Sequence, residues 1–427
     1  MQGAPFETSN PQSPVHPSSA APAPISNRVH AWTVFTAALR LGLTSFGGPV
    51  AHIGYFRVYY VVRRQWLSDS EFADYTALCQ FLPGPSSSQL GMAIGLRKAG
   101  LLGALAAWLG FTLPSALLML LFAFGVGASE SSLSGVLHGL ELAAVAVVAQ
   151  AIFSMGRSLA PDRNRFTMAA ATAACALLFP GIGGQLAPLA VCAVIGVVWF
   201  RTSSSGTKQD TAYEEPPGLM RRFGMRIAAA SLVLFAALLV LLPWWTSQTN
   251  SPAVSIADTS YRAGALVFGG GHVVLPMLEQ GTVHDGPNGL TADQFMAGYA
   301  AAQAVPGPLF TFAAYIGASM ASGLKAVGLA AVALAAIFLP SLLLITGAFP
   351  LWNRLRNHSA ARGALTAVNA AVVGLLLAAF YDPVWKTAVR EPLDFVVALG
   401  AFAALQWWNR PAWQVVAVAA AVGALLW

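Results

Sequence analysis

A stretch that occurs twice constrains this chain more than any other feature. Phe46-Gly47-Gly48 is followed by Gln80-Phe81-Leu82-Pro83-Gly84-Pro85, and Phe268-Gly269-Gly270-Gly271 is followed by Gln303-Ala304-Val305-Pro306-Gly307-Pro308. The spacing from Phe to Gln is 34 residues in the first copy and 35 in the second. Two homologous halves therefore keep register across a one-residue slip.

The parallel extends beyond these landmarks. Arg40 and Arg262 each stand six residues before the Phe, and Leu113-Pro114-Ser115 is answered by Leu339-Pro340-Ser341. Between the landmarks, Ser68 with Glu71 and Thr291 with Gln294 have the spacing of a capping box. In that arrangement a hydroxyl accepts an early helix N–H and the residue three positions on reaches back. A helix is expected to start at the same place in each half.

The solvent for such a chain follows from composition. With 56% hydrophobic and 9% charged residues over 427 positions, there is too little polar surface to cover a soluble core of this size. The expected class is an all-α polytopic membrane protein embedded in the lipid bilayer, because crossing about 30 Å of hydrocarbon takes roughly 20 apolar residues as a helix. Residues 1–27, rich in Pro, Ser and Ala, read as a disordered tail. Residues 28–200 read as the first repeat with six apolar spans, 201–224 as a polar cytoplasmic linker, 225–250 as one connecting span, and 251–427 as the second six-span repeat. Thirteen spans are expected. The first is placed at Ala31–Tyr60, and the second, Glu71–Leu96, carries Pro83-Gly84-Pro85 near its middle.

Six spans plus one would turn the second half over, giving inverted repeats, which are a transporter signature. With a cytoplasmic N-terminus, fifteen Lys and Arg fall inside and seven outside, in accord with the positive-inside rule. Arg57, Arg63 and Arg64 are the exception, assigned to the outer side. The net charge of +6 is scattered through short loops and does not make a nucleic-acid surface. Trp407, Trp408, Trp413 and Trp427 read as interface anchors.

Pro-Gly-Pro cannot sit inside a regular helix, because proline removes donors and clashes with the preceding turn. In lipid the freed backbone groups must be satisfied by protein, ions or water, so the breaks should face an interior cavity. Broken helices at matching places in two halves point to a midplane site, and the helix that restarts after a break suits an anion. Ser86, Ser87 and Ser88 follow Pro85, while Thr311 alone offers a hydroxyl soon after Pro308. Gly269, Gly270 and Gly271 could form a nest of N–H groups. Arg40, deep in the first span, is costly unless functional. With Arg262 it would offer guanidinium forks to a tetrahedral oxyanion from either side. Kinks that serve packing alone, and an Arg40 that snorkels, are the competing readings.

Glu141, inside the fourth span, is a candidate proton carrier, although its counterpart near Leu365 is apolar and a structural pairing competes. His52 and His272 miss register by two positions, which disfavours a metal site. Cys79, Cys175 and Cys192 show no Cys-x-x-Cys spacing, so no metal and no cofactor is expected. No nucleotide-binding loop is present, which argues against ATP drive.

The four motifs, in this order, resemble those of the chromate ion transporter family in its long-chain, two-domain form, over nearly the whole chain from about Val29. The resemblance implies a bacterial inner-membrane exporter of chromate that confers resistance, with sulfate as a competing or exchanged ion, and not an enzyme. The substrate site expected from the breaks comprises Arg40, Phe46, Gly47, Gly48, Gln80, Pro83, Gly84, Pro85, Ser86, Ser87 and Ser88 with Arg262, Phe268, Gly269, Gly270, Gly271, Gln303, Pro306, Gly307, Pro308 and Thr311. A basic residue ahead of Phe-Gly-Gly, here Arg40 and Arg262, also fits the family pattern. Pro49 stands where the second copy has Gly271, so the halves are not expected to be equivalent. The alternatives are a sulfate or molybdate carrier and, in a different class, a membrane-bound chromate reductase, which would need a redox centre. A homo-oligomer is compatible with the sequence.

Overall fold

A computed structural model describes residues 29–45, 48–129, 134–179, 182–199, 218–267, 274–283, 289–352 and 358–427. Phe46, Gly47, Phe268, Gly269, Gly270 and Gly271 of the expected site lie outside the described residues, as do the N-terminal tail and most of the linker. Among the described residues every regular element is helical, apart from an isolated bridge between Val283 and Leu290.

The first half opens with α1 (Ala31–Thr44), whose buried Val34, Ala37, Ala38, Leu41 and Gly42 form one stripe. That spacing is the inner face of an amphipathic helix. The expected first span is not one rod. It breaks at Ser45, whose backbone is extended (φ −92°, ψ 103°), and resumes as α2 (Gly48–Phe56), continued by a π-helical stretch Arg57–Arg63. The π-helical stretch comes back to α1, where the Arg40 guanidinium lies 5.8 Å from the Tyr59 ring centre.

The next pair is α3 (Asp69–Phe81) and α4 (Ser86–Ser129). Ser68 caps α3, with the Glu71 carboxylate reaching back to the Ser68 N–H at 2.9 Å. A long apolar run hides a reversal inside α4, where Ala99 (φ −138°) and Gly100 (φ +65°) leave helical geometry. A β-carbon on Gly95 would collide with the carbonyl of Gly103, yet eight residues along one straight helix lie about 12 Å apart. Residues 86–98 and 101–129 are thus two arms. The first arm runs back beside α3, so that Lys98 comes within electrostatic reach of Glu71 and its carbonyl accepts the Val29 N–H. Three helices follow, α5 (Ser134–Leu159), α6 (Arg163–Leu178) and α7 (Ile182–Trp199).

The connecting helix α8 (Gly218–Gln248) leans on the second half, where Tyr261 donates to the Phe235 carbonyl and Thr346 to the Ser231 hydroxyl. Only 11% of its most apolar stretch is buried, so most of that surface is exposed.

The second half repeats the plan. Helices α9 (Pro252–Leu266) and α10 (Val274–Thr282) fold back on each other, with Gly281 against Thr259. Helix α11 (Ala292–Ala304) starts at Thr291, whose capping box with Gln294 is complete. After the break come a 3-10 turn Leu309–Thr311 and α12 (Phe312–Ser319). α12 returns beside α11: the Tyr315 hydroxyl donates to the Gln294 carbonyl at 2.9 Å, and Phe312 stacks edgewise on Phe295. Gly323 (φ +61°) reverses the chain into α13 (Gly323–Ala348). Then follow α14 (Ser359–Ala379), α15 (Pro392–Gln406) and α16 (Ala412–Leu426).

The halves are interlocked. Helix α14 packs on α6 and α7 of the first half, and α5 packs on α15 and α16 of the second. Among the described residues five helices are long and apolar enough to cross a membrane, within Ser86–Gly125, Gly135–Leu159, Gly224–Gln248, Gly323–Leu351 and Ser359–Ala388. The 15 residues of α15 and of α16 reach only about 22 Å. The first two spans expected in each half are, instead of single rods, hairpins of short helices.

Candidate functional site

Both Pro-Gly-Pro segments sit at the tips of these hairpins. Leu82 and Val305 leave α3 and α11 in extended backbone, and Gly84 (φ +118°) and Gly307 (φ +108°) then take left-handed values that a side chain would strain. Each tip spends its glycine N–H across the molecule. Gly84 donates to the Val267 carbonyl at 2.6 Å, and Gly307 donates to the Ser45 carbonyl at 2.9 Å. Ser45 and Val267 are the C-caps of α1 and α9, each directly before a Phe-Gly-Gly copy. The Leu-Pro-Ser motifs close the same contacts: a β-carbon on Gly84 would lie 2.7 Å from Ser341 Oγ, and one on Gly307 would lie 2.7 Å from Ser115 Oγ. Each Pro-Gly-Pro and each Leu-Pro-Ser copy thus meets the other half, and the contacts are reciprocal.

The polar lining is lopsided. His52, Ser87, Ser88, Gln89 and Thr112 are buried in the first half. Their register partners in the second are Val274, Phe310, Thr311, Phe312 and Phe338, also buried. His52 Nδ1 lies 3.3 Å from the Ser87 hydroxyl, and its ring meets the Phe111 ring edgewise at 5.4 Å. Gln89 ties the break by donating to the Pro83 carbonyl at 2.6 Å. Ser45 Oγ, Ser88 Oγ, Gln89 Oε1 and Thr112 Oγ1 are buried without a partner. Buried polar atoms are nearly always bonded, so a group of unpartnered ones beside two helix breaks marks a place where a ligand or water belongs. None of these side chains is acidic, and hydroxyl donors at a helix start suit an anion.

The expected site residues do not all gather here. Ser86 is half-buried, and Thr311 spends its hydroxyl on the Pro308 carbonyl. Gln80 is exposed, whereas Gln303 is half-buried with its amide beside the Tyr299 hydroxyl. Gly48 begins α2. Arg40 lies on the exposed side of α1, over Tyr59. Arg262 is half-buried and bonded to Asp258 Oδ2 at 2.6 Å, with its Nε unpartnered. It lines a cavity of about 60 Å³ together with Thr259, Gln280 and Gly281. Gly281 is the register partner of Tyr59, so the tyrosine that covers Arg40 has no counterpart beside Arg262. The two guanidiniums are not equivalent.

Sequence reasoning passed over Gln89, Thr112 and Asp258. The last was legible, since Asp258 and Arg262 stand four apart, the spacing of a helical ion pair. Glu141, named for proton handling, is 2% exposed and bonded to His138.

Comparison with known proteins decides the family. The profile described as "Chromate transporter" matches residues 32–199 and 254–424. The chain belongs to the chromate transporter family. The chromate transport protein of Pseudomonas aeruginosa is 28% identical over 378 residues, covering 87% of this chain and 85% of that protein. The chromate transport protein of Cupriavidus metallidurans is 28% identical over 284 residues, 65% of each chain. An uncharacterised transporter of Methanocaldococcus jannaschii is 25% identical over 356 residues, 82% of this chain and 84% of that one. No solved structure matches. Within this family of transport proteins the chain is a multi-pass membrane protein and not an enzyme.

Proposed function

We propose that this chromate transporter family member carries the chromate dianion out of the cytoplasm across the inner membrane, and so confers chromate resistance. The observation that carries the reading is the group of unpartnered buried hydroxyls at the reciprocal contact of the two Pro-Gly-Pro tips. A tetrahedral dianion held there would accept from Ser88 and Thr112 and from the start of the helix after Pro85. Arg262, in its own cavity, offers a second station on the way.

The proposed topology places four hairpins as re-entrant pairs: α1/α2, α3 with residues 86–98, α9/α10, and α11/α12. Residues 101–129, α5, α6, α7, α8, α13, α14, α15 and α16 then cross, the short α6, α15 and α16 with the bilayer thinned to meet them. Four crossings per half plus α8 still invert the second repeat, and reciprocal contacts are what a two-fold relation between halves produces. The charges support it. Arg57, Arg63 and Arg64, which opposed the positive-inside rule when the first span was a single rod, now share a face with Arg97, Lys98, Arg157, Arg163, Arg165, Arg226, Arg362 and Arg410. Lys325, Lys386 and Arg390 lie on the other face. The basic face is the cytoplasmic one.

Outward movement of a dianion at interior-negative potential gains about 2.3 kcal/mol per charge per 100 mV, which is enough to drive uphill export. The test is chromate uptake by everted vesicles, with sulfate and molybdate as competitors. Accumulation that collapses with the potential supports the reading; vesicles that do not take up chromate would end it. A sulfate carrier is the second reading, because hydroxyl donors do not by themselves separate tetrahedral dianions, and preferential uptake of sulfate would favour it.

A further inference from the structure

His138 on α5 stands between two carboxylates. Its Nδ1 is 3.3 Å from Glu141 Oε2 on the same helix, and its Nε2 is 2.8 Å from Asp394 Oδ1 on α15 of the other half. Glu141 and Asp394 are 2% and 1% exposed. Asp394 Oδ2 accepts the backbone N–H groups of Arg390 and Glu391 at 2.8 Å each. From α16, the Trp427 ring covers the histidine edgewise at 4.7 Å. The charged groups beside this trio are Arg390, 3.7 Å from Glu141 Oε2, and Asp293 at the start of α11, which Arg390 also holds at 3.1 Å. The nearby Asp382 is taken by Lys386 at 2.6 Å.

Counting donors shows what the trio needs. An ionised carboxylate only accepts, and a neutral imidazole has one N–H. With a carboxylate oxygen at each ring nitrogen, both bonds form only if the trio carries one proton more than a neutral histidine and two carboxylates supply. Two such carboxylates out of water also demand a positive partner. Arg390, with its side chain 53% exposed, is placed to be the alternative partner: it can close on Glu141 when the extra proton leaves. The exchange makes and breaks only N–H or O–H bonds: in a coupled cycle the proton is taken up on one side of the membrane, with Asp293 and Arg390 marking one such face, and released on the other as the oxyanion passes. Asp293 stands in the first turn of α11, whose last residue, Ala304, directly precedes Val305-Pro306-Gly307. α5 packs against α11, so one short helix joins the trio to the second break.

We propose that His138, Glu141 and Asp394 form a proton-binding site whose loading and unloading accompany each oxyanion passage, so that transport is proton-coupled. The inference rests on the oxyanion-carrier reading. The test uses the full chain in liposomes holding a pH-sensitive dye, with the potential clamped to zero, alkaline buffer that keeps chromate fully deprotonated, and an imposed chromate gradient. Wild type moves protons together with chromate. H138Q and the near-isosteric E141Q each lower the proton movement per chromate by about tenfold or more, the scale expected when one buried bond to a charged group is lost. Chromate flux in wild type without any proton movement would overturn the inference and leave the carrier reading standing, and so would unchanged proton movement in H138Q. A wild-type protein that moves no chromate would remove both.

Discussion

Gly84 and Ser341, on opposite halves, are packed so closely that a β-carbon on the glycine would sit 2.7 Å from the serine Oγ. The same β-carbon would meet Gln89 Nε2 at 2.7 Å, and φ at Gly84 is +118°. G84A therefore suffers both a strained backbone and a clash, and the expected cost is about 2–3 kcal/mol. The double variant G84A/S341G should relieve the serine contact but neither the Gln89 contact nor the strain, giving partial recovery of thermal stability in detergent. Full recovery would show that backbone conformation is irrelevant at this position.

A group that waits for a ligand behaves differently under mutation from one that supports the fold. Ser88 Oγ and Thr112 Oγ1 are buried and unpartnered, so each costs stability in the empty protein. S88A, and T112V with a shape close to that of threonine, should unfold at the same temperature as wild type or slightly higher. Chromate affinity in both should fall by about 10- to 100-fold, the worth of a hydrogen bond to a charged group. Titration of binding against thermal unfolding separates the two effects. Lower stability with unchanged affinity would assign these hydroxyls to packing.

These contrasts show where sequence reading reached and where it stopped. The capping boxes at Ser68 and Thr291 and the breaks at Gly84 and Gly307 were legible because each is decided within a few residues. The reversal at Ala99–Gly100 was not, because 86–129 reads as one apolar run and only the contact of Gly95 with Gly103 reveals two arms. The break at Ser45 falls beside the Gly47-Gly48 break that the sequence suggested, but its partner, Gly307, was not visible because it lies in the other half. The same blindness affected Glu141, whose meaning depends on Asp394. It also made Arg40 and Arg262 look alike, although the difference lies in what faces them, Tyr59 in one case and Asp258 with a cavity in the other.

That last difference can be measured. Arg262 neutralises Asp258, whose side chain is 3% exposed. R262A leaves a buried carboxylate alone, and the expected loss is about 3–5 kcal/mol with abolished transport. R262A/D258N removes the stranded charge and should regain much of the stability but not the transport. R40A, on an exposed side chain over Tyr59, should cost about 1 kcal/mol or less. Thermal unfolding of the three proteins ranks them, and equal losses in R40A and R262A would contradict the asymmetry between the halves.

The proposed inversion makes the sharpest demand. Ser68 and Thr291 cap equivalent helices, so a cysteine at either position gives up the same cap, at about 1 kcal/mol. If the four crossings of the first half and α8 lie between them, the two positions face opposite sides of the membrane. The background needs Cys79, Cys175 and Cys192 replaced, of which Cys79 and Cys192 are buried. In intact cells a membrane-impermeant maleimide should label T291C, while S68C should react only after the membrane is opened, as the basic face requires. Labelling of both from the same side would mean that the halves run parallel, and the two Pro-Gly-Pro tips would then enter the membrane from one face instead of from opposite faces.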